Sequence, residues 1–302
     1  MMAEGADAGA AWENPLIPNA RLRQIYLAMT RARMLARTLP ARRGDRGTSG
    51  LEACLVSAAV DLEPGDLVSD ALSGRVVEFL RGAALGEGLR PGVATKKRGM
   101  VADCGSAARL PAGAGVVERI WAALGAAAAL KAEAARAKSE AEAAGSKAKQ
   151  KGVVVVYALP GEVPPALWRK ALTFAREKEL PVLFVVLPPA LAKGKAARMG
   201  QVSALALGCG VPGIPVDADD AVAIYRVAQE SIGHARIGGG TALMECVPFV
   251  VAGAVGKGGR TADAIAVLES YLLERHVATR SWIEREAKSF AKRLAIENTA
   301  SK

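Results

Sequence analysis

The chain has 302 residues, a formal charge of +10, 51% apolar residues and only 4% aromatic residues. This composition excludes a wholly disordered chain and predicts a core of Ala, Val, Leu and Ile, as is typical of buried parallel sheets and their covering helices. The basic residues are dispersed or lie in one Ala/Lys/Glu-rich tract, without an Arg-rich arm or zinc-finger spacing, so we expect no nucleic-acid partner.

In the first half of the chain, helical spacing of apolar residues alternates with turns. Residues 1–18 are expected to be mobile, and Asn19 is expected to cap a helix that begins near Ala20. Further helices are predicted after Ser49, over residues 75–85 and over residues 116–131. Residues 86–115 are predicted to form a long loop. Residues 133–151 are nearly all Ala, Lys, Glu and Ser, a composition that favours a solvated helix. Because this tract lacks an apolar stripe, it is predicted to be an insertion that protrudes or is unfolded.

The second half contains short β-branched runs that are typical of strands buried on both faces. Strands are predicted at residues 153–157, 181–187, 213–216 and 242–247, with helices at 164–179 and 218–236 and over the last forty residues. We therefore predict a single α/β domain over residues 19–302, with a doubly wound, mostly parallel sheet flanked by helices. In such sheets, ligands bind at the carboxyl ends of the strands.

The cysteines indicate a reducing compartment. There are four, widely separated, and they form no close pair and no Cys/His cluster: Cys54, Cys104, Cys209 and Cys246. Scattered thiols disfavour a structural zinc site and are typical of the cytoplasm, where we expect the protein to be. The N-terminus has no apolar segment of the signal-peptide kind, and the most apolar helical run, residues 120–130, is too short to cross a membrane.

Several phrases of the sequence share their order and spacing with one known family. They lie at residues 22–29, 50–53 (GLEA), 62–66 (LEPGD), 171–175 with 180–185, 210–217 (GVPGIPVD) and 245–247. Through them, residues 19–293 resemble the alpha subunit of thiamine-diphosphate-dependent 2-oxo-acid dehydrogenases of the pyruvate dehydrogenase type. The resemblance implies a thiamine-diphosphate-binding fold, and a homo-oligomer or a heterotetramer with a beta-like subunit.

The family holds its cofactor with residues that this chain lacks. A diphosphate with Mg²⁺ needs backbone N–H groups and oxygen ligands in octahedral geometry, which the family supplies with Gly-Asp-Gly after a strand and an Asn about thirty residues on. Counted without a gap, these positions fall on Leu159, Pro160 and Gly161, and on Pro188 or Pro189. Proline has neither a side-chain oxygen nor an N–H. We therefore predict a degenerate motif, with no metal ligand, no bound cofactor and no catalytic residue. Glu162, next to the motif, is the one neighbouring carboxylate that could replace the missing ligand.

Other positions of the family's site are also changed. Its Tyr-Arg pair falls near Leu72 and Ser73, and its Gly-His-Ser phrase falls on residues 253–255. The two histidines, His234 and His276, are expected on helices away from the strand ends. The glycine-rich segments 238–240 and 256–260 are weak candidates for anion sites, the first being more typical of a turn before a strand. Glu52 matches a family phrase, and a structural hydrogen bond explains it as well as catalysis does.

Three functions remain open at this point. The first is a non-catalytic alpha-like subunit or scaffold. The second is an active 2-oxo-acid dehydrogenase component that a beta subunit completes, with Glu162 as a replacement ligand. The third is a repurposed fold that binds an anionic ligand or acidic partner through its basic loop and Lys-rich tract.

Overall fold

The computed structural model describes residues 16–39, 47–83, 85, 107–111, 115–143, 152–189, 201–248 and 263–299. The helices are α1 (Asn19–Thr38), α2 (Glu52–Ser57), α3 (Arg75–Leu80), α4 (Val116–Ala143), α5 (Pro165–Glu177), α6 (Gln201–Gly208), α7 (Ala221–Arg236), α8 (Ala264–Glu274) and α9 (Arg280–Thr299). The strands are β1 (Leu67–Ser69), β2 (Ala108–Arg109), β3 (Val154–Ala158), β4 (Val182–Val186), β5 (Gly213–Asp217) and β6 (Ala242–Val247).

The strands form one sheet in the order β2-β1-β3-β4-β6-β5, and every neighbouring pair is parallel. The central strands β3, β4 and β6 are buried along their whole length, which explains their continuous apolar sequences. In this order, β2 lies on one side of β1, and β3, the next strand along the chain, lies on the other side of β1. The carboxyl ends of β1 and β3 therefore flank a topological switch point, where α/β sheets bind ligands. The predicted fold class is confirmed.

Helices cover both faces of this sheet. Successive residues of a strand point to opposite faces, so Val154 and Val156 pack with α4, α5 and α6, whereas Val155 and Tyr157 pack with α1, α2 and α7. Phe184 meets Trp168 of α5 edge-on, with ring centroids 5.4 Å apart. Within the described ranges, no helix combines the length and the apolar character needed to cross a bilayer.

A buried ion pair ties the amino ends of two strands to a helix. The Asp66 carboxylate, just before β1, accepts hydrogen bonds from both terminal nitrogens of Arg236, at 3.0 and 2.6 Å. It also accepts from the backbone N–H of Glu63 at 2.7 Å and of Val153 at 3.0 Å. This explains the LEPGD phrase physically, because its last residue joins the turn, the start of β3 and the end of α7.

Some sequence predictions need correction. Asn19 does not cap α1, since it is itself the first helical residue and Pro18 holds the N-cap position. The helix predicted over residues 75–85 ends at Leu80. His276 lies in the turn between α8 and α9, with a φ of 54°, and not on a helix. By contrast, the solvated helix favoured for residues 133–151 is observed over residues 133–143, which continue α4 without a break, and residues 144–151 lie outside the described residues.

Three elements were missed by the sequence analysis. The strands β1 and β2 have only three and two residues, which is too short for an alternating pattern to be visible. Helix α6 is dominated by small and apolar residues without a clear polar face. The expectation of a mobile segment over residues 1–18 falls almost wholly outside the described residues. The assignment of residues 19–302 to one domain stays a prediction.

Candidate functional site

The predicted motif positions Leu159, Pro160 and Gly161 line a cleft at the carboxyl edge of the sheet. The cleft has a volume of about 860 Å³ and lies between the ends of β3, β4 and β6 and the helices α5 and α6. The structure brings four of the predicted positions together in its wall: Leu159, Pro160, Gly161 and Pro189. Pro188 is buried instead, so Pro189 is the residue after β4 that faces the cleft.

The turn after β3 is closed by its own side chains. Gly161 adopts a φ of 74°, in the left-handed region that favours glycine. The Glu162 Oε2 atom accepts a hydrogen bond from the Leu159 N–H at 2.9 Å and one from Arg119 at 3.0 Å. Arg119, in the first turn of α4, also donates to the Tyr157 carbonyl at 2.6 Å. The one carboxylate beside the motif is therefore engaged in an ion pair that holds the turn against α4.

A second charged group lies at the end of β1, on the other side of the switch point. Asp70 follows the strand, and its carboxylate pairs with Arg81 at 3.0 Å and with Arg109 at 3.5 Å. The Arg81 guanidinium also stacks over the Tyr157 ring, 5.0 Å from its centroid. Leu72, near which the sequence analysis placed the family's Tyr-Arg pair, is buried. Two guanidinium groups share one carboxylate here, so this part of the edge carries a positive charge.

Glu52 is held in a network that explains its burial. Its side chain is 1% exposed, and its two oxygens accept from Nε and Nη2 of Arg33 at 2.9 and 3.0 Å. The Gly50 N–H adds a third bond at 2.8 Å, and Arg33 reaches Asp263 with its remaining nitrogen. The hydrogen bonds that Arg33 donates to Glu52 raise the pKa of Arg33 above its ordinary value. Glu52 thus joins α1 to α2. These contacts correspond to the structural hydrogen bond, one of the two roles predicted for Glu52.

Two residues at the end of β6 belong to the cleft and were not predicted as site residues. Glu245 lines it, yet its carboxylate accepts the Ser203 N–H at 2.7 Å and so satisfies the first turn of α6. Cys246 also lines the cleft, although it is almost fully buried. Its hydrogen bond to Cys54 is the main reason that the pKa of the Cys54 thiol is raised well above its ordinary value, and burial adds to the effect. The raised pKa keeps the Cys54 thiol protonated and unreactive.

The remaining candidates do not converge on the cleft. His234 is exposed near the end of α7, beside the turn that contains Gly239. Residues 238–240 form that turn before β6, as expected. The positions 253–255 and 256–260 lie outside the described residues. Among the residues that are described, no group of three or more His, Cys, Asp and Glu side chains could hold a metal ion.

Comparison with known proteins gives a family and two relatives. The family described as "Dehydrogenase E1 component" matches residues 41–253. The alpha subunit of acetoin:2,6-dichlorophenolindophenol oxidoreductase from Bacillus subtilis (strain 168) is 32% identical over 108 residues, which cover 34% of this chain and 32% of the relative. The Cupriavidus necator subunit of the same name is 32% identical over 105 residues, 33% of this chain and 32% of the relative. The matched part spans about a third of the length of these relatives.

Proposed function

This chain belongs to the dehydrogenase E1 component family, and from that premise we propose that it is a non-catalytic, alpha-like subunit. It keeps the family's sheet and the turn that carries the cofactor motif, but not the groups that bind magnesium and the diphosphate of thiamine diphosphate. The observation that carries this proposal is the closed turn after β3. Pro160 stands where the metal-binding carboxylate is expected, and Glu162 is already paired with Arg119.

The residues present do not fit a magnesium site. Mg²⁺ takes six oxygen ligands at about 2.0–2.1 Å with little tolerance for error. Pro160 and Pro189 have no side-chain oxygen, and Leu159 and Gly161 offer only backbone groups. The Leu159 N–H, which could otherwise face an anion, donates to Glu162 within the turn. We therefore derive no catalytic step through thiamine diphosphate in this chain.

The expected loss of affinity for Mg²⁺ and the cofactor is large. Changes to groups that merely support metal ligands cost about 10–100-fold in affinity, so the loss of two direct ligands costs at least about 10²–10⁴, or roughly 3–5 kcal/mol. A loss of this size takes a micromolar site to the high micromolar or millimolar range. Such a site stays empty at ordinary cofactor concentrations.

The rival proposal, an active component completed by a beta subunit, requires Glu162 to bind the metal. To do so it would have to release both Arg119 and the Leu159 N–H. Arg119 is 7% exposed, and its pairing with Glu162 is what balances its buried charge. Leaving a buried guanidinium without its carboxylate costs about 3–5 kcal/mol. The metal would have to supply that free energy in addition to its own dehydration.

The alpha-like assignment also suggests a partner. Both relatives are named as alpha subunits, and we propose that this chain likewise assembles, as a homo-oligomer or as a heterotetramer with a beta-like subunit. The proposed location is the cytoplasm, since the described cysteines Cys54, Cys209 and Cys246 are free thiols. In such an assembly, this chain would act as a scaffold.

Isothermal titration calorimetry with thiamine diphosphate and Mg²⁺ tests the proposal. The wild-type chain is expected to show no micromolar binding, and Glu162→Gln is expected to behave in the same way. The variant that carries Pro160→Asp and Pro189→Asn restores two oxygen ligands and is expected to bind more tightly than the wild type. Micromolar binding by the wild type that Glu162→Gln abolishes would refute the proposal and favour the rival.

A further inference from the structure

A buried carboxylate faces the cleft at the carboxyl edge of the sheet. Glu245 lies within β6, is 6% exposed and lines the cleft. Its Oε2 atom accepts the Ser203 N–H at 2.7 Å. Its Oε1 atom accepts no hydrogen bond from the described part of the chain, and it is not one of the buried atoms there that lack a partner. Oε1 therefore reaches the surface of the cleft.

This carboxylate differs from the other buried acids because no cation among the described residues pairs with it. Three of the four buried acidic side chains in the described ranges, Glu52, Asp66 and Asp70, each form an ion pair with an arginine. Glu245 has only the backbone N–H at the start of α6. A buried charge is costly unless it is paired. The open oxygen of Glu245 therefore points to a cationic donor on a molecule in the cleft.

The walls of the cleft around Glu245 are mostly apolar. Val186, the neighbour of Glu245 on β4, lies on the same wall. Proline, leucine, valine and tryptophan side chains continue the lining: Pro164, Trp168, Leu187, Val202 and Leu205. The volume of about 860 Å³ is within the range of small-molecule sites, about 300–1,000 Å³. Such walls fit a hydrocarbon side chain.

The cleft also has a basic group. Arg169 of α5 lines it, is exposed, and forms no ion pair with any other described residue. A guanidinium group binds a carboxylate through two parallel hydrogen bonds. Glu245 and Arg169 therefore give one cleft an acidic and a basic group that do not pair with each other. Together they complement a ligand that carries both an amino group and a carboxylate.

We propose that the cleft binds an apolar α-amino acid. Its ammonium group donates to Glu245, its carboxylate meets Arg169, and its side chain packs against the apolar walls. An amine alone would bring a second cation beside Arg169, and an acid alone would bring a second anion beside Glu245. The inference rests on the proposed function, because thiamine diphosphate bound at the same edge of the sheet would compete for the cleft.

Isothermal titration calorimetry of the full chain with L-leucine and with L-phenylalanine tests the site. Saturable binding with a Kd below about 1 mM is expected for both. Phenethylamine lacks the carboxylate of phenylalanine, and 3-phenylpropionate lacks its amino group. Each is expected to bind at least about tenfold more weakly than phenylalanine, because each loses one charge-assisted hydrogen bond.

Two substitutions assign the two charged groups. Glu245→Gln keeps an oxygen for the Ser203 N–H and removes the charge, so it is expected to weaken phenylalanine binding about 10–100-fold without weakening 3-phenylpropionate. Arg169→Met is expected to weaken phenylalanine about tenfold without weakening phenethylamine. Arg176→Met removes an exposed arginine of the same helix that does not line the cleft, and it serves as the matched control with no expected effect.

Circular dichroism separates a lost site from a lost fold, and the exposed Arg169 still tests the site if Glu245→Gln unfolds. The proposal is overturned if neither amino acid shows saturable binding up to about 10 mM. It is also overturned if phenethylamine binds as tightly as phenylalanine, or if the folded variants bind phenylalanine like the wild type. A separate titration with thiamine diphosphate and Mg²⁺ keeps the two failures apart. A chain that binds neither molecule contradicts this inference alone, whereas micromolar cofactor binding contradicts the proposed function.

Discussion

Asp66→Asn is expected to be strongly destabilising, because this carboxylate has four donors around it and is 1% exposed. An asparagine keeps one oxygen and turns an NH₂ group toward the remaining donors. The Arg236 guanidinium, 7% exposed, then loses the carboxylate that pairs with it. Breaking a buried ion pair from one side costs about 3–5 kcal/mol, a large part of the roughly 5–15 kcal/mol that holds a typical domain together.

Urea unfolding followed by circular dichroism measures this change as a lower midpoint with an unchanged slope. The matched control is Asp220→Asn. Asp220 caps α7 by accepting from the N–H groups of Val222 and Ala223, and asparagine caps helices about as well as aspartate does. The control is therefore expected to cost less than about 1 kcal/mol. A loss at Asp66 no greater than the loss at Asp220 would refute the reasoning about the buried pair.

Three more changes have defined outcomes. Burial, and then the hydrogen bond to Glu269, raise the pKa of Tyr26 above its ordinary value of 10.0, so its contribution to stability is complete below that pH and is lost as the pH rises further. In Tyr26→Phe, the free energy of unfolding should therefore fall less steeply than in the wild type as the pH rises above that value. A variant whose free energy of unfolding falls with pH as steeply as that of the wild type would contradict this. In a Cys104→Ser background, Cys209 should react with a thiol reagent well before Cys54 and Cys246, because the latter two are buried. Equal labelling rates of the three cysteines in the folded protein would contradict the burial of Cys54 and Cys246. Arg119→Met should destabilise the chain by about 2–4 kcal/mol, since it leaves the Tyr157 carbonyl without its donor and Glu162 without its charged partner. Glu162→Gln should cost at least as much, because it leaves the buried Arg119 guanidinium without its carboxylate. A change below about 1 kcal/mol for Arg119→Met in urea unfolding would mean that the pair does not hold the turn.

The sequence predicts the centre of the fold better than its edge. The strands β3, β4 and β6 are apolar on both faces, so each stands out as an unbroken run that only a doubly covered sheet explains. The short β1 is flanked by the buried charges Asp66 and Asp70, so no long apolar run marks it in the sequence. Those aspartates are tolerated only because Arg236 and Arg81 pair with them, and pairs so distant in sequence cannot be read from periodicity.

In the candidate site, too, the local sequence predicts some features, and contacts between distant residues determine others. The positions of Leu159, Pro160 and Gly161 follow from counting residues, and the cleft contains all three. The occupation of Glu162 by Arg119 could not be predicted, because the two residues are far apart in sequence and no motif connects them. The role of Glu245 at the start of α6 was hidden for a similar reason, since α6 itself was not predicted. Local sequence patterns therefore located the edge of the sheet, whereas the polar contacts between distant residues at that edge could be read only from the structure.

The most direct test is a crystal structure of the chain grown with millimolar thiamine diphosphate and Mg²⁺. The account predicts no density for the diphosphate or the cation beyond the end of β3, and an intact ion pair between Arg119 and Glu162. Density for a magnesium ion coordinated by Glu162, with the diphosphate beside Gly161 and Arg119 released, would contradict it.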